Sequence, residues 1–455
     1  MHSHLPAALM ERCSQFIEAR AGLHFPPERW PDLERALCVV ASELGFKNPE
    51  DCTNRLVSDR AKREELDVLF SRLTVGETYF FRDPRAFEVL QQRVLPEIIQ
   101  ARRSSVKRLR IWSAGCCTGE EPYSIAIAVS RLLPDIADWE VTIVGTDINQ
   151  RFLEKAEAGI YTHWSFRGTA DDLQARYFRR VGQDRFEIIP PIKKLVTFVC
   201  LNLVDDVFPS LLTNTNAMDV IFCRNVLMYF SRVQARKVTA SLHRALLDDG
   251  WLFPSSTEAS RELFGQFTSV DVPGTIVYRK AAAPAWRAPI LPPVAPLLPV
   301  KMSPPTSPPP SESGRAVSAA APVPPPPPLA DLARQLANEG RLDDALRVCD
   351  QALAADKLAP LPHYLRGLIL QEQGAHEAAM VALRNALYLD PAFILAHFAL
   401  GSLMRRDGRA RDAVRCFENA RTLLRGRDPA SELPEADGLT VGRLLATLEI
   451  QESAA

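Results

Sequence analysis

The chain has 455 residues and a net charge of −1 at pH 7. That length calls for two or three domains, and a balanced charge gives no reason to expect nucleic acid as a partner. No apolar run reaches the ~18 residues of a membrane span, and the start MHSHLPAALMERC lacks the basic-then-apolar pattern of a secretion signal, so the expectation is cytoplasmic, without membrane insertion.

Residues 1–72 read as a helical domain, with stretches such as AALMERCSQFIEARAG and REELDVLFSRL. The basic residues Arg55, Arg60, Lys62, Arg63 and Arg72 fall here and read as a solvated face. From Leu109 the pattern becomes strand, helix, strand. LRIWSAG is a strand ending in glycine, PYSIAIAVSRLL an amphipathic helix, and WEVTIVGTDI a second strand ending at Asp147. FLEKAEAGI is the next helix, MDVIFC a buried strand, and ARKVTASLHRALLDDGWLFPSS a helix, turn and strand. This alternation predicts an α/β domain, residues 73–280, with a doubly wound, Rossmann-like parallel sheet.

Residues 281–328 hold nearly half of the 36 prolines and end in Pro324 to Pro328. They read as a disordered, semi-rigid polyproline linker. Beyond it the chain repeats. Gly340, Gly374 and Gly408 stand 34 residues apart, as do Leu336, Leu370 and Met404, and Ala345, Ala379 and Ala413. Thirty-four is the tetratricopeptide (TPR) period, a helix–turn–helix unit. Residues 329–455 are therefore expected to form an α-helical TPR solenoid of three repeats with a capping helix at Leu439 to Glu449. Such surfaces bind proteins or peptides. The linker implies that this module is tethered and leaves the chemistry alone.

The stretch WSAGCCTGEEPYSIA, Trp112 to Ala126, is the chemical clue. In a doubly wound sheet, ligands bind beyond the carboxyl ends of the strands. A dinucleotide loop wants G-x-G-x-x-G opening onto a helix N-terminus. Here Gly115 and Gly119 have a different spacing, and Glu120 and Glu121 follow. Two carboxylates would repel a pyrophosphate and attract a cation. S-adenosylmethionine, with an ammonium, a sulfonium and no phosphate, fits. One glutamate is expected to complement the helix end and the other to touch ligand. Asp147, ending the second strand, is placed for ribose hydroxyls. Nine scattered cysteines without CxxC spacing predict no metal site, and Cys116 and Cys117 read as small side chains packed in a turn.

Four ordered motifs, TVGETYFFRDPRAF, WSAGCCTGEEPYSIA, VGTDINQRFLEKAEAGIY and IFCRNVLMYF, resemble the CheR-type chemoreceptor glutamate methyltransferases over about residues 10–280. Forms with a Pro-rich linker and C-terminal TPR repeats look like enzymes of alternative chemosensory pathways, such as the WspC type of surface-sensing and biofilm systems. The resemblance implies methyl transfer from S-adenosylmethionine to glutamates of a chemoreceptor-like protein, leaving S-adenosylhomocysteine. It also implies a small antiparallel β-subdomain at about 177–199. Carried onto this chain, it implies cofactor contacts from Thr78, Arg82, Glu121, Asp147, Asn202, Leu203, Arg224 and Asn225. One departure stands out: Gly76 occupies a position where many members have asparagine.

A glutamate carboxylate, with an ordinary pKa of about 4.3, is already ionised at neutral pH, so transfer to it needs no general base. Arg82 and Tyr229 are the candidates for positioning it. Two other readings stand beside this one: a small-molecule methyltransferase with a protein-docking TPR tail, and a non-catalytic TPR scaffold.

Overall fold

The structure, a computed structural model, describes residues 4–281 and 328–453 apart from 59, 170 and 437. The expected linker therefore lies almost wholly outside the described residues.

Helices α1 (Ala7–Ala21), α2 (Trp30–Glu43), α3 (Pro49–Leu56) and α4 (Arg63–Leu73) enclose a core that includes Ile17, Leu33, Leu37, Val40 and Leu69. α1 stops where Gly22 turns left-handed at φ 73°. α3 starts on the Asn48 side chain, which accepts the Glu50 N–H, with Pro49 at its first position. Helices α5 (Pro84–Val89) and α6 (Leu95–Arg102) follow, joined by one wider turn.

The sheet then begins: β1 (Arg108–Ala114), α7 (Glu120–Leu132), β2 (Glu140–Asp147) and α8 (Gln150–Ala158). A detour comes next, through β3 (Ile160–Tyr161), α9 (Asp171–Tyr177), β4 (Phe178–Gly182), β5 (Arg185–Ile188) and α10 (Pro190–Lys193). The chain returns through β6 (Val196–Cys200), β7 (Met218–Cys223), α11 (Arg232–Ala245), β8 (Leu246–Phe253), α12 (Arg261–Phe264), β9 (Thr268–Val272) and β10 (Thr275–Arg279).

The main sheet has the order β6-β2-β1-β7-β8-β10-β9. The first five strands are parallel, and β10 and β9 close it antiparallel. β1 and β7 are buried at every residue, as strands covered on both faces must be. Connections run outward in opposite directions from the β1–β7 pair, so the carboxyl ends of β1, β2 and β7 open onto a crevice at the switch point. The small sheet, β3-β5-β4, differs from the expected 177–199 insertion. It takes in Ile160–Tyr161 and ends at Ile188, whereas Val196–Cys200 pairs with β2 in the main sheet. Pro190 and Pro191 start α10, which ends the hairpin and returns the chain to the core; in sequence the apolar run hides that break.

Beyond the linker, three helix pairs stack: α13 (Leu329–Asn338) with α14 (Leu342–Ala355), α15 (Pro360–Glu372) with α16 (His376–Leu389), and α17 (Ile394–Arg406) with α18 (Ala410–Leu424). Gly340, Gly374 and Gly408 turn each pair, with φ of 78°, 75° and 76°. Ala345, Ala379 and Ala413 are buried, and Ala379 lies against Gly367 of the helix it pairs with. A last helix, α19 (Val441–Ser453), packs on α18 and also on α8 and β6.

That last contact corrects the picture of a detached module. The repeats lie against the α/β domain. Glu372 of α15 is buried there, accepting from Asn216 Nδ2 at 2.8 Å and standing 3.9 Å from both Arg108 and Arg110. Arg405 pairs with Glu157 at 2.8 Å and Arg406 with Glu140 at 2.9 Å. A proline-rich segment sets the path between two modules; the faces of the modules decide whether they touch, and here those faces carry matched charges.

Candidate active site

The residues after β1 form a tight turn that only certain side chains permit. Gly115 has φ 77°, and a Cβ there would stand 2.3 Å from Val226 Cγ2. Gly119 has φ 92°, and its Cβ would meet Ala156 at 2.8 Å. Both positions need glycine for backbone and for space. Cys116 and Cys117 between them are buried and free, and burial pushes both thiols up, so they are neutral packing groups.

α7 starts at Glu120, and the two glutamates part ways. Glu120 turns back into protein, accepting from Thr118 Oγ1 at 2.7 Å and Ser165 Oγ at 3.0 Å. Glu121 faces the crevice, held by Ser113 Oγ at 2.7 Å and by Arg224 at 3.4 Å. Burial raises the pKa of both carboxyls; for Glu121 the nearby Arg224 opposes that effect. Asp147, ending β2, accepts the Cys117 N–H at 2.9 Å with one oxygen and the Asn149 N–H at 2.9 Å with the other. Burial pushes its carboxyl up to about 6 against those backbone hydrogen bonds. It thus ties the Gly loop to the end of β2 while still facing the crevice.

The segment TYFFRD crosses above. Phe80 is buried among Tyr161, Phe166 and Phe178, and Phe81 packs on Phe87. Ser124 Oγ receives the Phe81 N–H at 2.9 Å. With the two phenylalanines fixed, Thr78 and Arg82 are left on the crevice wall, and the Arg82 guanidinium donates to the Glu77 carbonyl. Arg224, after β7, locks this segment from beneath. It donates to the Arg82 carbonyl and to Asp83 Oδ2, each at 2.8 Å. Its side chain is 4% exposed, and its Nε has no partner. Asn225 then turns left-handed at φ 57°, a conformation asparagine tolerates.

All nine residues singled out from the sequence, Thr78, Arg82, Glu121, Asp147, Asn202, Leu203, Arg224, Asn225 and Tyr229, line one cavity of about 1020 Å³, mouth included. The N-terminal domain closes its far side through Ala21, Leu23 and Leu73. Besides Arg82, Glu121 and Asp147, two more of the nine use their polar groups on protein. Asn202 gives its carboxamide to the Arg20 carbonyl and the Val204 N–H, so it offers the cavity a wall. Arg224 is engaged as described above.

Gly76 has a local reason. A Cβ there would stand 2.9 Å from the ring of Phe152, which lines the cavity. An asparagine would need that ring to move.

Sequence reasoning passed over Asp83 and Glu258. Asp83 before Pro84 carries a helix N-cap signal and could have been found. Glu258 could not, since it sits in a loop without pattern. Its buried carboxylate collects the N–H groups of Asn225 and Val226, each at 2.7 Å, and of Met228 at 3.2 Å, and so shapes the whole CRNVLMY loop. Among the described residues no group of three His, Cys, Asp or Glu could hold a metal, and no helix is long and apolar enough to cross a membrane.

The cavity's polar lining carries charges of both signs. Glu77, Glu121 and Asp147 line it together with Arg82 and Arg224, and the Cys117 N–H of the turn after β1 is taken by Asp147.

The family model for the CheR methyltransferase, SAM binding domain, matches residues 76–275. Chemotaxis protein methyltransferase 1 of Pseudomonas aeruginosa is 34% identical over 268 residues, covering 58% of this chain and 94% of that protein. The probable biofilm formation methyltransferase WspC of the same organism is 30% identical over 404 residues, covering 86% of this chain and 93% of that protein. Among solved structures, the second TPR of Spaghetti (RPAP3) bound to an HSP90 peptide is 22% identical and covers 21% of this chain and 88% of that one, with a TM-score of 0.20.

Proposed function

The chain belongs to the CheR methyltransferase family, and from that premise we propose that it methylates glutamate side chains of a chemoreceptor-like signalling protein. The observation that carries the reading is the pair of carboxylates, Glu121 and Asp147, facing one cavity beneath the TYFFRD segment. In this reading Asp147 accepts the ribose hydroxyls. Glu121 faces the cationic end of S-adenosylmethionine. Asn202 and Leu203 bound the adenine, and Thr78 and Asn225 flank the cofactor. Bound there, the cofactor supplies a methyl group activated by its sulfonium.

The chain's own residues align and desolvate. The acceptor carboxylate is ionised at neutral pH, so no residue need take a proton from it. Arg82 holds that carboxylate by a charge-assisted hydrogen bond and Tyr229 by its hydroxyl. Leu23, Leu73 and Phe230, apolar groups of the wall, exclude water from the acceptor. Partners in this reading are a receptor's signalling arm at the cavity and a protein or peptide on the TPR surface.

The test uses the full chain, methyl-labelled S-adenosylmethionine and a receptor cytoplasmic fragment. Label that enters the fragment and is released by mild alkali marks a carboxyl ester and supports the reading. Alkali-stable label, or transfer only to small molecules, overturns it.

A further inference from the structure

The cavity wall made by Leu201, Asn202 and Leu203 is held from three sides. Leu201 N–H donates to the Asp147 carbonyl at 3.0 Å, which fixes it to β2. Asn202 Nδ2 donates to the Arg20 carbonyl, which fixes it to α1. The third hold comes from Asp206. Its Oδ2 accepts the Asn202 N–H at 2.6 Å, and its own N–H donates to the Asn202 carbonyl at 2.9 Å.

Asp206 is in turn held by the repeat module. Arg443, on α19, donates from Nε to Asp206 Oδ1 at 3.2 Å. The two side chains are only 17% and 10% exposed. The same guanidinium lies 3.8 Å from the Cys200 sulfur, at the end of β6. Without Arg443, Asp206 would be a carboxylate in a mostly dry site with no counter-charge. It would then take a proton or turn to water, and either change loosens its grip on the Asn202 N–H.

We propose that Arg443 is a positioning residue of the cofactor pocket, acting through Asp206 on the Leu201–Leu203 wall, so that the docked repeat module sets cofactor affinity. The inference rests on S-adenosylmethionine being the ligand of this cavity. A built-in control lies in the same interface. Arg406 pairs with Glu140, the first residue of β2, whereas Asp147 is the last. At about 3.3 Å per residue the two ends of that strand are roughly 23 Å apart.

The experiment compares the full chain with Arg443→Ala, Arg443→Lys, Asp206→Asn and Arg406→Ala. Calorimetry gives S-adenosylmethionine affinity, steady-state kinetics give KM for each substrate, and hydrogen exchange gives protection of the Asn202 amide. Arg443→Ala is expected to weaken cofactor binding roughly tenfold, with KM for the methyl acceptor and kcat within about twofold. It should also expose the Asn202 amide to exchange with no cofactor present. Arg443→Lys keeps the charge and should restore most of the affinity. Asp206→Asn should reproduce the loss, and the double variant should add little to it. Arg406→Ala should leave affinity unchanged within about twofold. Unchanged affinity and unchanged amide protection in Arg443→Ala overturn the inference. So does an equal loss in Arg406→Ala, which would mean general loosening of the interface. If the unaltered chain itself binds no S-adenosylmethionine, the reading of the cavity fails, and the amide protection still decides whether Arg443 positions the wall.

Discussion

The catalytic sheet is covered by two distant parts of the chain, and the two covers differ in their share of charge: among the described residues one ion pair, Arg151 with Glu43, joins the N-terminal helices, and several join the repeats. The N-terminal helices meet it through apolar groups. Ile148, Tyr229 and Phe230 of the catalytic domain pack onto the core of α1 to α4, and Leu23 bridges to Phe230. The repeat module meets it through apolar groups, with Leu211 in the repeat core and Ala446 in the sheet core, and also through charge, with Arg405 on Glu157, Arg406 on Glu140, Arg443 on Asp206, and Glu372 buried beside Arg108 and Arg110. Apolar burial is indifferent to salt and grows with area, about 25 cal/mol per Å². Ion pairs weaken with ionic strength where they touch water. The N-terminal cover should therefore respond less to salt. The other is a contact that conditions can modulate.

The largest effect should separate the buried charges of the site from the exposed ones of the interface. Arg224→Ala leaves Asp83 and Glu121 without their cation in a nearly dry place. It should cost about 3–5 kcal/mol of stability. Arg406→Ala removes one of two cationic partners of Glu140, which is 21% exposed and keeps His376 beside it, and should cost under about 1 kcal/mol. Thermal unfolding of the two variants checks the contrast, and similar losses would erase it.

Next comes cofactor affinity. Asp147→Ala should weaken S-adenosylmethionine binding at least tenfold, about 1.4 kcal/mol, as measured by calorimetry. The same residue predicts a pH dependence. Its carboxyl is raised to about 6 by burial, above an unfolded value near 3.9. Between those two pH values the folded state binds the extra proton, so this group's contribution to stability falls as pH rises through that window. Ribose hydroxyls favour the ionised form. Affinity should therefore be full above about pH 6 and decline below it, by up to tenfold per pH unit. A flat affinity between pH 5 and 7, calorimetry again being the measure, would argue against Asp147 as the ribose ligand.

A smaller effect concerns salt. Raising ionic strength from 0.1 to 1 M shortens the screening length from about 10 to about 3 Å. Hydrogen exchange in α8 and β6, which α19 covers, should then speed up severalfold, while exchange in α1 and α2 stays the same. Equal acceleration in both places would show that the two covers are not different in kind.

The smallest effect is expected at His376. The hydrogen bond to Glu140 raises its pKa, with Asp407 adding to it and Arg406 opposing. Glu140 is lowered: burial alone would raise it, but the His376 hydrogen bond and the charges of Arg406 and His376 outweigh that. The stabilisation His376 brings is present below its unfolded value near 6.5 and is lost as pH rises through the raised folded value. With Arg406 still paired to Glu140, it should be under about 1 kcal/mol. His376→Gln should abolish a small fall in melting temperature between about pH 6 and 8.

Much of this was legible in the chain itself, for reasons that can be named. The repeats could be read because three glycines must turn left-handed at a fixed interval and three alanines must let helices close. The Gly115 and Gly119 turn, the split roles of Glu120 and Glu121, and the placement of Asp147 follow from local rules about turns, helix starts and strand ends. The small sheet was misjudged at both ends because β3 has only two residues, too few for a period. β6, in turn, follows the hairpin with only α10 between them.

What the chain determines alone, then, is whatever depends on neighbours in sequence: periodicity, turn geometry, and the residue types that suit a cationic ligand. The tertiary structure decided the rest. Glu258 gathers three N–H groups some thirty residues away, Phe152 fills the space beside Gly76, and Arg443 reaches Asp206 across 237 positions. Each is a single side chain whose partner is set by how layers pack, and hydrogen bonds and ion pairs of that kind leave no period in a sequence.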